Sequence, residues 1–138
     1  AESISRSEQS FADSIIMASI IEAEANKPAD RRIVSGILWK RMQNKMRLQV
    51  DAPFFYLRQE STEDEVTVDD LKSDSPYNTY THDGLPPGPI GNPGIDSIQA
   101  ALAPESSPYF YYLYGRDGVI RYARTFEEHK ANKAKYLR

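Results

Sequence analysis

The segment spanning residues 75–94 constrains the fold more than any other part of the sequence. Half of the chain's 7 glycines and 9 prolines lie between residues 84 and 94, and this density excludes a helix there. Four aromatic or aliphatic side chains are nevertheless spaced through the segment, at Tyr77, Tyr80, Leu85 and Ile90. Because proline fixes φ and lowers the entropy lost on ordering, we expect a rigid, packed loop and not a flexible linker.

The segments on either side predict an α+β fold. Apolar clustering and helix-breaking residues predict helices over residues 10–26, 28–45, 67–72 and 95–103, and a last helix capped by Thr125. Extended structure is predicted over residues 48–57, with an interruption at Pro53, and in a hairpin of residues 109–114 and 119–123. We expect helices packed around a small antiparallel sheet, with the rigid Pro/Gly-rich loop lining a cleft.

Length and composition argue against several classes of function. The 138 residues suit a single domain over residues 1–138, with ordinary hydrophobic (40%) and charged (27%) content. A formal net charge of −3 gives no basic surface for nucleic acid, so no nucleic-acid partner is expected. The chain has no cysteine, and His82 and His129 are not in ligand spacing with acidic residues. We therefore expect no metal site and no cofactor.

Glu22 and Glu24 are the first candidates for chemistry because they follow the apolar run of the first helix. Burial disfavours the ionised form of a carboxyl, so a glutamate there can keep its proton near neutral pH and act as a general acid. The alternative is that both glutamates pair with Lys27, Arg31 or Arg32 and only connect two helices. Composition alone leaves both interpretations open.

Helix geometry distinguishes the two glutamates. Glu22 lies one turn after Ala18 and Ser19, whereas Glu24 lies one turn after two isoleucines. Small neighbours leave room for a ligand, while isoleucines pack closely. This local argument favours Glu22 as the acid, with Ser19 on the substrate-facing side of the helix.

Gln49, Asp51, Asn78 and Tyr80 form a second concentration of polar and aromatic groups. Amides, carboxylates and tyrosine rings suit carbohydrates, because sugars present hydroxyls in a plane and apolar C–H faces. Each of these residues alone would more often be structural. Only convergence with the acid would make them a substrate site.

Several of these segments, in this order, resemble one family, the YceG/MltG-like endolytic murein transglycosylases. The motifs that carry the resemblance are ASIIEAE at 18–24, LQVD at 48–51, SPYNTY at 75–80, GLPPGPI at 84–90, NPG at 92–94, SIQAA at 97–101 and EEH at 127–129. The resemblance extends from about residue 16 to residue 136. Departures at Val50 and at residues 52–54 concern one sugar subsite and leave the reaction type untouched.

The resemblance implies a bacterial enzyme that cuts peptidoglycan glycan strands internally, at the extracytoplasmic face of the inner membrane. We expect this chain to be the catalytic part, without the family's N-terminal membrane anchor and LysM-like region. The expected partners are peptidoglycan strands and peptidoglycan synthases, the full-length protein is expected to be membrane-anchored, and the domain is expected to be monomeric.

The resemblance also implies residue roles. The family's catalytic glutamate carries over to Glu22, which would protonate the glycosidic oxygen between N-acetylmuramic acid and N-acetylglucosamine. As a carboxylate it would then take the proton of the muramyl C6 hydroxyl, giving 1,6-anhydromuramyl ends. Gln49, Asp51, Asn78 and Tyr80 would hold the glycan. A one-carboxylate route of this kind needs no activated water, unlike glycoside hydrolysis.

Two other functions remain open on the sequence. A non-catalytic peptidoglycan-binding module would bind sacculi without releasing anhydromuramyl ends. A protein-interaction domain would dock partners through its proline-rich loop in an extended conformation, and changes at Glu22 would not affect that binding.

Overall fold

The computed structural model of the chain describes residues 10–57 and 65–137. Six helices and one hairpin follow in the order α1 (Phe11–Glu24), α2 (Pro28–Gln43), α3 (Ala52–Leu57), α4 (Val68–Lys72), α5 (Ile95–Leu102), β1 (Tyr111–Tyr114), β2 (Ile120–Ala123) and α6 (Phe126–Tyr136). The two strands are antiparallel, with Tyr111 opposite Ala123 and Tyr114 opposite Ile120. This confirms the predicted α+β class with a small antiparallel sheet.

The core lies where α1, α2 and α5 pack together. Met17 and Ile20 of α1 and Leu38 of α2 are fully buried, and Ala101 of α5 packs in the same cluster. The indole Nε1 of Trp39 donates a 3.1 Å hydrogen bond to the carbonyl of Ala101, which fixes α5 against α2. Truncating Leu38 to alanine would cost about 2–5 kcal/mol of folding free energy. The C-terminal end of α1 is therefore held on a rigid support.

Gly36 allows the chain to leave α5 along α2. A Cβ atom at residue 36 would lie 1.9 Å from the carbonyl oxygen of Glu105, so only glycine fits. At this contact the backbone N–H of Glu105 donates to the carbonyl of Arg32 at 3.0 Å. The segment after α5 is thereby directed towards the hairpin.

The predicted extended structure over residues 52–57 is wrong, because these residues form α3. Pro53 occupies the first turn of this helix, where its missing N–H has no intrahelical partner in any case. The backbone N–H of Phe54 donates to the carbonyl of Asp51 at 2.9 Å, so the turn starts at Asp51. The other helices and the hairpin agree with their predictions to within a few residues.

The Pro/Gly-rich segment is an irregular loop that is packed against the domain, as predicted. The side chain of Thr79 exchanges two hydrogen bonds with the backbone of Val50, at 3.0 and 3.1 Å. The backbone N–H of Ile90 donates to the hydroxyl of Ser19 on α1 at 3.0 Å. These contacts hold the loop beside the end of α1.

The hairpin packs against α6. Thr125 caps α6, accepting a 3.1 Å hydrogen bond from the backbone N–H of Glu128. The buried guanidinium of Arg41 donates to the carbonyls of Arg47 and Phe110, joining α2 to the segment that leads into β1. None of the helices within the described ranges has the length and apolar character required to cross a bilayer.

Candidate functional site

Two cavities meet at the C-terminal end of α1. The first, of about 340 Å³, lies between residues 48–51, the strand β1 and α6. The second, of about 570 Å³, lies between α3 and the Pro/Gly-rich loop, where Ile90 and Gly91 line it. Glu24 and Asp51 line both cavities. The junction of the two cavities is therefore marked by two carboxyl groups, and the loop lines a cleft as predicted.

Glu24 presents a desolvated carboxyl at this junction. The hydroxyl of Tyr112 on β1 donates a short 2.5 Å hydrogen bond to its Oε1 atom. Burial raises the pKa of Glu24 to about 7, the hydrogen bond from Tyr112 opposes that rise, and the negative charge of Asp51 adds to it. Glu24 therefore keeps its proton to a higher pH than an ordinary carboxyl does. This is the protonation behaviour that a general acid requires.

Asp51 and Tyr80 form a hydrogen-bonded pair beside Glu24. The hydroxyl of Tyr80 donates to Oδ1 of Asp51 at 2.6 Å. Burial, followed by the interaction with Asp51, raises the pKa of Tyr80 well above its usual value, so the phenol stays protonated. The ring of Phe54 stacks on Tyr80 with centroids 5.9 Å apart. Both polar groups of the pair are thus fixed at the cavity wall.

Gln49 enters the first cavity from a backbone conformation that is rare for residues other than glycine. Its φ is +52°, in the left-handed region, which costs of order 1 kcal/mol. Its backbone N–H donates to the carbonyl of Thr79 at 3.3 Å, and its Oε1 accepts from Nη2 of Arg41 at 3.3 Å. Contacts from two other segments therefore hold the side chain amide in the cavity.

Glu22 lies on a different side of α1 and lines neither of these two cavities. Its Oε1 accepts hydrogen bonds from the hydroxyl of Ser97 at 2.7 Å and from the backbone N–H of Gly94 at 3.0 Å, at the start of α5. Its Oε2 lies 3.4 Å from Nη2 of Arg31.

These contacts decide the charge of Glu22. The hydrogen bond from Ser97, then that from Gly94, and the charge of Arg31 hold the pKa of Glu22 below its usual value, against a smaller effect of desolvation. The carboxylate is ionised at neutral pH and caps the N-terminus of α5, where negative charge is stabilising. Glu22 thus has the surroundings of a structural carboxylate.

Ser19 and Asn78 are buried and occupied by contacts within the fold. The hydroxyl of Ser19 donates to the carbonyl of Ile16 at 2.7 Å and accepts the backbone N–H of Ile90. The amide of Asn78 donates to the carbonyl of Ser73 at 2.9 Å and accepts the N–H of Tyr80 at 2.9 Å. Neither side chain lines the two cavities.

The structure therefore brings together only part of the predicted site. Gln49, Asp51 and Tyr80 converge on one cavity, while Glu22, Ser19 and Asn78 lie outside it. Tyr112 was not among the site residues predicted from the sequence. It belongs to the aromatic run YFYYLY of residues 109–114, which was assigned only to a strand of the hairpin. A signal was present, because side chains alternate along a strand and one face of that run must meet the end of α1.

The fold and the sequence together define the class of protein. The model of the YceG-like family matches residues 1–135, nearly the whole chain. The chain belongs to the YceG-like family.

Named relatives agree with this assignment. A protein of Bacillus subtilis (strain 168) named endolytic murein transglycosylase is 42% identical over 123 residues, covering 89% of this chain and 34% of that protein. One of the same name from Streptococcus pneumoniae serotype 2 (strain D39) is 31% identical over 129 residues, covering 89% of this chain and 23% of that protein. The chain thus spans about a third or less of the curated relatives it matches.

A solved structure has the same fold. The crystal structure of a yceG-like protein from Listeria monocytogenes matches 94% of this chain and 42% of its own, with a TM-score of 0.83 and 39% sequence identity. The α+β architecture described above is therefore the architecture of this family.

Proposed function

We propose that the chain is the peptidoglycan-cleaving part of an endolytic lytic transglycosylase, with Glu24 as its acid and base. The observation that carries the proposal is the carboxyl of Glu24, which has a pKa of about 7 at the junction of two cavities. The names of the Bacillus and Streptococcus relatives support the same substrate class.

The geometry favours Glu24 over the Glu22 assignment that the local sequence argument and the family resemblance suggested. A general acid must hold a proton near the working pH and must reach the substrate. Glu24 meets both conditions, whereas the contacts with Ser97, Gly94 and Arg31 keep Glu22 ionised and away from the two cavities. We therefore propose Glu24 as the acid and a structural role for Glu22.

Tyr112 orients the acid. It donates to Oε1 of Glu24, and Oε2 accepts no hydrogen bond from the described part of the chain. In the proposed reaction the neutral carboxyl would carry its proton on Oε2. Deletion of the Tyr112 hydroxyl would loosen this orientation and raise the pKa of Glu24 further.

The proposed reaction uses one carboxyl twice. Protonated Glu24 donates to the glycosidic oxygen between N-acetylmuramic acid and N-acetylglucosamine, and the bond from muramyl C1 to that oxygen breaks. The Glu24 carboxylate then accepts the proton of the muramyl C6 hydroxyl, whose oxygen forms the new bond to C1. No water is consumed, and intramolecular attack benefits from a high effective molarity. The products are a free N-acetylglucosamine hydroxyl and a 1,6-anhydromuramyl end.

The two cavities give the strand room on both sides of the acid. A glycan that occupies both cavities would pass Glu24 in its interior, which suits internal cleavage better than removal of end units. Gln49, Asp51 and Tyr80 would hold sugar hydroxyls on one side, where their polar atoms already line the wall. Phe55, Tyr56 and Ile90 would contact apolar sugar faces on the other.

The proposal implies that the domain works in the cell envelope, where peptidoglycan lies. A place at the extracytoplasmic membrane face, a membrane anchor in the full-length protein and contacts with peptidoglycan synthases stay predictions.

Mass spectrometry of the products from purified sacculi tests the reaction. We expect 1,6-anhydromuramyl ends from the wild-type chain and none from Glu24→Gln, with Glu22→Gln as the matched control that still cleaves. Reducing muramyl ends would instead indicate hydrolysis with Asp51 as the second carboxylate. Binding to sacculi without any new ends would indicate a non-catalytic module.

A further inference from the structure

The first cavity extends beyond Glu24 and Asp51 to a wall formed by α6. This α6 wall consists of Phe126, His129 and Lys133 of α6, together with Tyr111 of β1, all of which line the cavity. The three α6 residues share one helix face because they lie three and four positions apart. The proposed reaction at Glu24 gives none of these side chains a role.

The aromatic members of the α6 wall form a platform. The rings of Tyr111 and His129 stack with centroids 5.0 Å apart and an interplanar angle of 22°. Phe126 packs against Tyr111 at 5.9 Å while 49% of the residue remains exposed. Such a platform offers apolar contact area to a ligand while its position is fixed by stacking.

Two cations stand beside this platform. Arg41 and Lys133 both line the cavity, and neither makes an ion pair with any residue in the ranges 10–57 and 65–137. Burial, followed by the positive charges of Lys133 and Arg41, lowers the pKa of His129 to about 4. His129 is thus neutral at pH 7, and this end of the cavity carries two positive charges.

One polar atom of the wall lacks a partner. Nδ1 of His129 is buried and forms no hydrogen bond within the described residues. Leaving such an atom unpaired is unfavourable. Asp51 and Glu24 lie at the other part of the cavity lining.

We propose that the α6 wall is a subsite for the acidic stem peptide carried by the N-acetylmuramic acid unit beside the cleaved bond. This inference rests on the proposed function. The glycan backbone of peptidoglycan is neutral where its lactyl groups are amide-linked to peptide, so its negative charges are the carboxylates of the stem peptides. Lys133 would pair with such a carboxylate, and the platform would pack against the peptide. The subsite would make the enzyme prefer peptide-bearing strands over stripped ones.

The experiment compares two forms of one substrate. Purified glycan strands are used with their stem peptides intact, or after an amidase has removed the peptides and the freed lactyl carboxylates have been converted to neutral methylamides, and kcat/KM is measured from the appearance of new glycan ends. We expect the wild-type chain to cleave peptide-bearing strands three- to tenfold better. Lys133→Ala should lower that preference about threefold, and Lys133→Glu should abolish it.

Lys135→Ala is the matched control. Lys135 lies on the same helix, but its ammonium lies over the ring of Tyr136 and it does not line the cavity, so its removal should keep the preference. Equal cleavage of the two substrates by the wild-type chain would overturn the subsite and leave the proposed function standing. An equal loss on both substrates in Lys133→Glu would overturn it too.

The subsite can also be tested apart from catalysis. With Glu24→Gln, equilibrium binding of peptide-bearing and stripped strands should differ three- to tenfold, and Lys133→Glu in that background should remove the difference. If the wild-type chain cleaved neither substrate, the proposed function would fail, while this binding difference would still decide whether the subsite exists. Equal binding would overturn the subsite.

Discussion

Two glutamates that lie two residues apart on α1 have opposite environments. Glu22 faces the start of α5, where Ser97, Gly94 and Arg31 stabilise its charge. Glu24 faces the cavities, where burial raises its pKa to about 7. Residues two apart on a helix point about 200° from each other around its axis. The comparison teaches that the helix face, and not the distance along the sequence, determines whether the pKa of a carboxyl is lowered by hydrogen bonds or raised by burial.

The neighbours of the two carboxyls explain the opposite shifts. Hydrogen-bond donors and a cation favour the ionised form of Glu22 because they stabilise negative charge. Among the described residues, the donor to Glu24 is Tyr112, and this hydrogen bond does not compensate for the desolvation of Glu24. Each environment comes from segments that are distant in sequence.

Exchange of each glutamate for glutamine should produce the largest difference. Glu24→Gln removes the proton donor, so we expect the cleavage rate on sacculi to fall by about 10²–10⁴-fold. Glu22→Gln keeps the acid, and its rate should stay within a few-fold of the wild-type rate at 20 °C. The rates are measured from new glycan ends, with circular dichroism to verify folding. Loss of activity in Glu22→Gln but not in Glu24→Gln would assign the acid to Glu22 instead.

The pH dependence of the wild-type rate should follow Glu24. Its protonated form starts the reaction, so the rate should fall as pH rises through about 7, by roughly fivefold between pH 7 and pH 8. The pH–rate profile of kcat/KM measures this limb. A limb near pH 4 would contradict the assignment, because an ordinary or lowered carboxyl pKa would then govern the acid.

Tyr112→Phe tests the role of the hydrogen bond that Tyr112 donates to Glu24. It removes the donor that lowers the pKa of Glu24, so the descending limb of the pH–rate profile should move to higher pH, with a rate change of about tenfold or less. An unchanged limb would show that Tyr112 acts only in packing. Tyr109→Phe, a tyrosine of the same aromatic run that does not line the cavity, is the control.

Glu24→Gln and Glu22→Gln should change the free energy of unfolding in opposite directions at pH 8. This is the smallest expected effect. Between pH 4.5 and about 7 the folded state keeps a proton on Glu24 that the unfolded state releases, so stability falls as pH rises through this window. Glu24→Gln should therefore stabilise the chain at pH 8, by up to about 3 kcal/mol, and change little at pH 4.

Glu22 follows the reverse rule because its pKa is lowered in the folded state. Its contribution is present above pH 4.5 and is lost as pH falls through the lowered pKa. Glu22→Gln should cost about 1 kcal/mol at pH 8, since the carboxyl is partly exposed, and less in acid. Urea unfolding at the two pH values measures both variants. A destabilised Glu24→Gln at pH 8 would contradict the desolvation argument.

Local patterns predicted the elements better than the contacts between them. The apolar run of α1, the proline that starts α2 and the Thr125 cap are local signals, and the structure confirms the helices they predicted. Pro53 was a local signal as well, but it suits both an interruption of a strand and the first turn of a helix. The packed state of the Pro/Gly-rich loop was predictable because its aromatic and aliphatic residues needed a place to pack.

Which residues line the candidate site depends on tertiary contacts that are not apparent from the sequence. The room predicted beside Glu22 is occupied by the start of α5, and Ser19 is bound to Ile90 of the loop. The amide of Asn78 suits sugar recognition by its chemistry, yet it holds backbone carbonyls inside the fold. Gln49, Asp51 and Tyr80 could be grouped by residue type alone. Ranking the two glutamates required the neighbours that tertiary packing supplies.

A titration of the glutamate side-chain carboxyls by carbon-13 NMR tests the central claim most directly. Both resonances, assigned with the two glutamine variants, are followed from pH 3 to pH 9 in the wild-type chain. We expect the Glu24 carboxyl to change protonation near pH 7 and the Glu22 carboxyl to change below pH 4.5. A Glu24 carboxyl that ionises at or below pH 4.5 would mean that no proton is held at the junction of the two cavities, and the proposed acid would be lost.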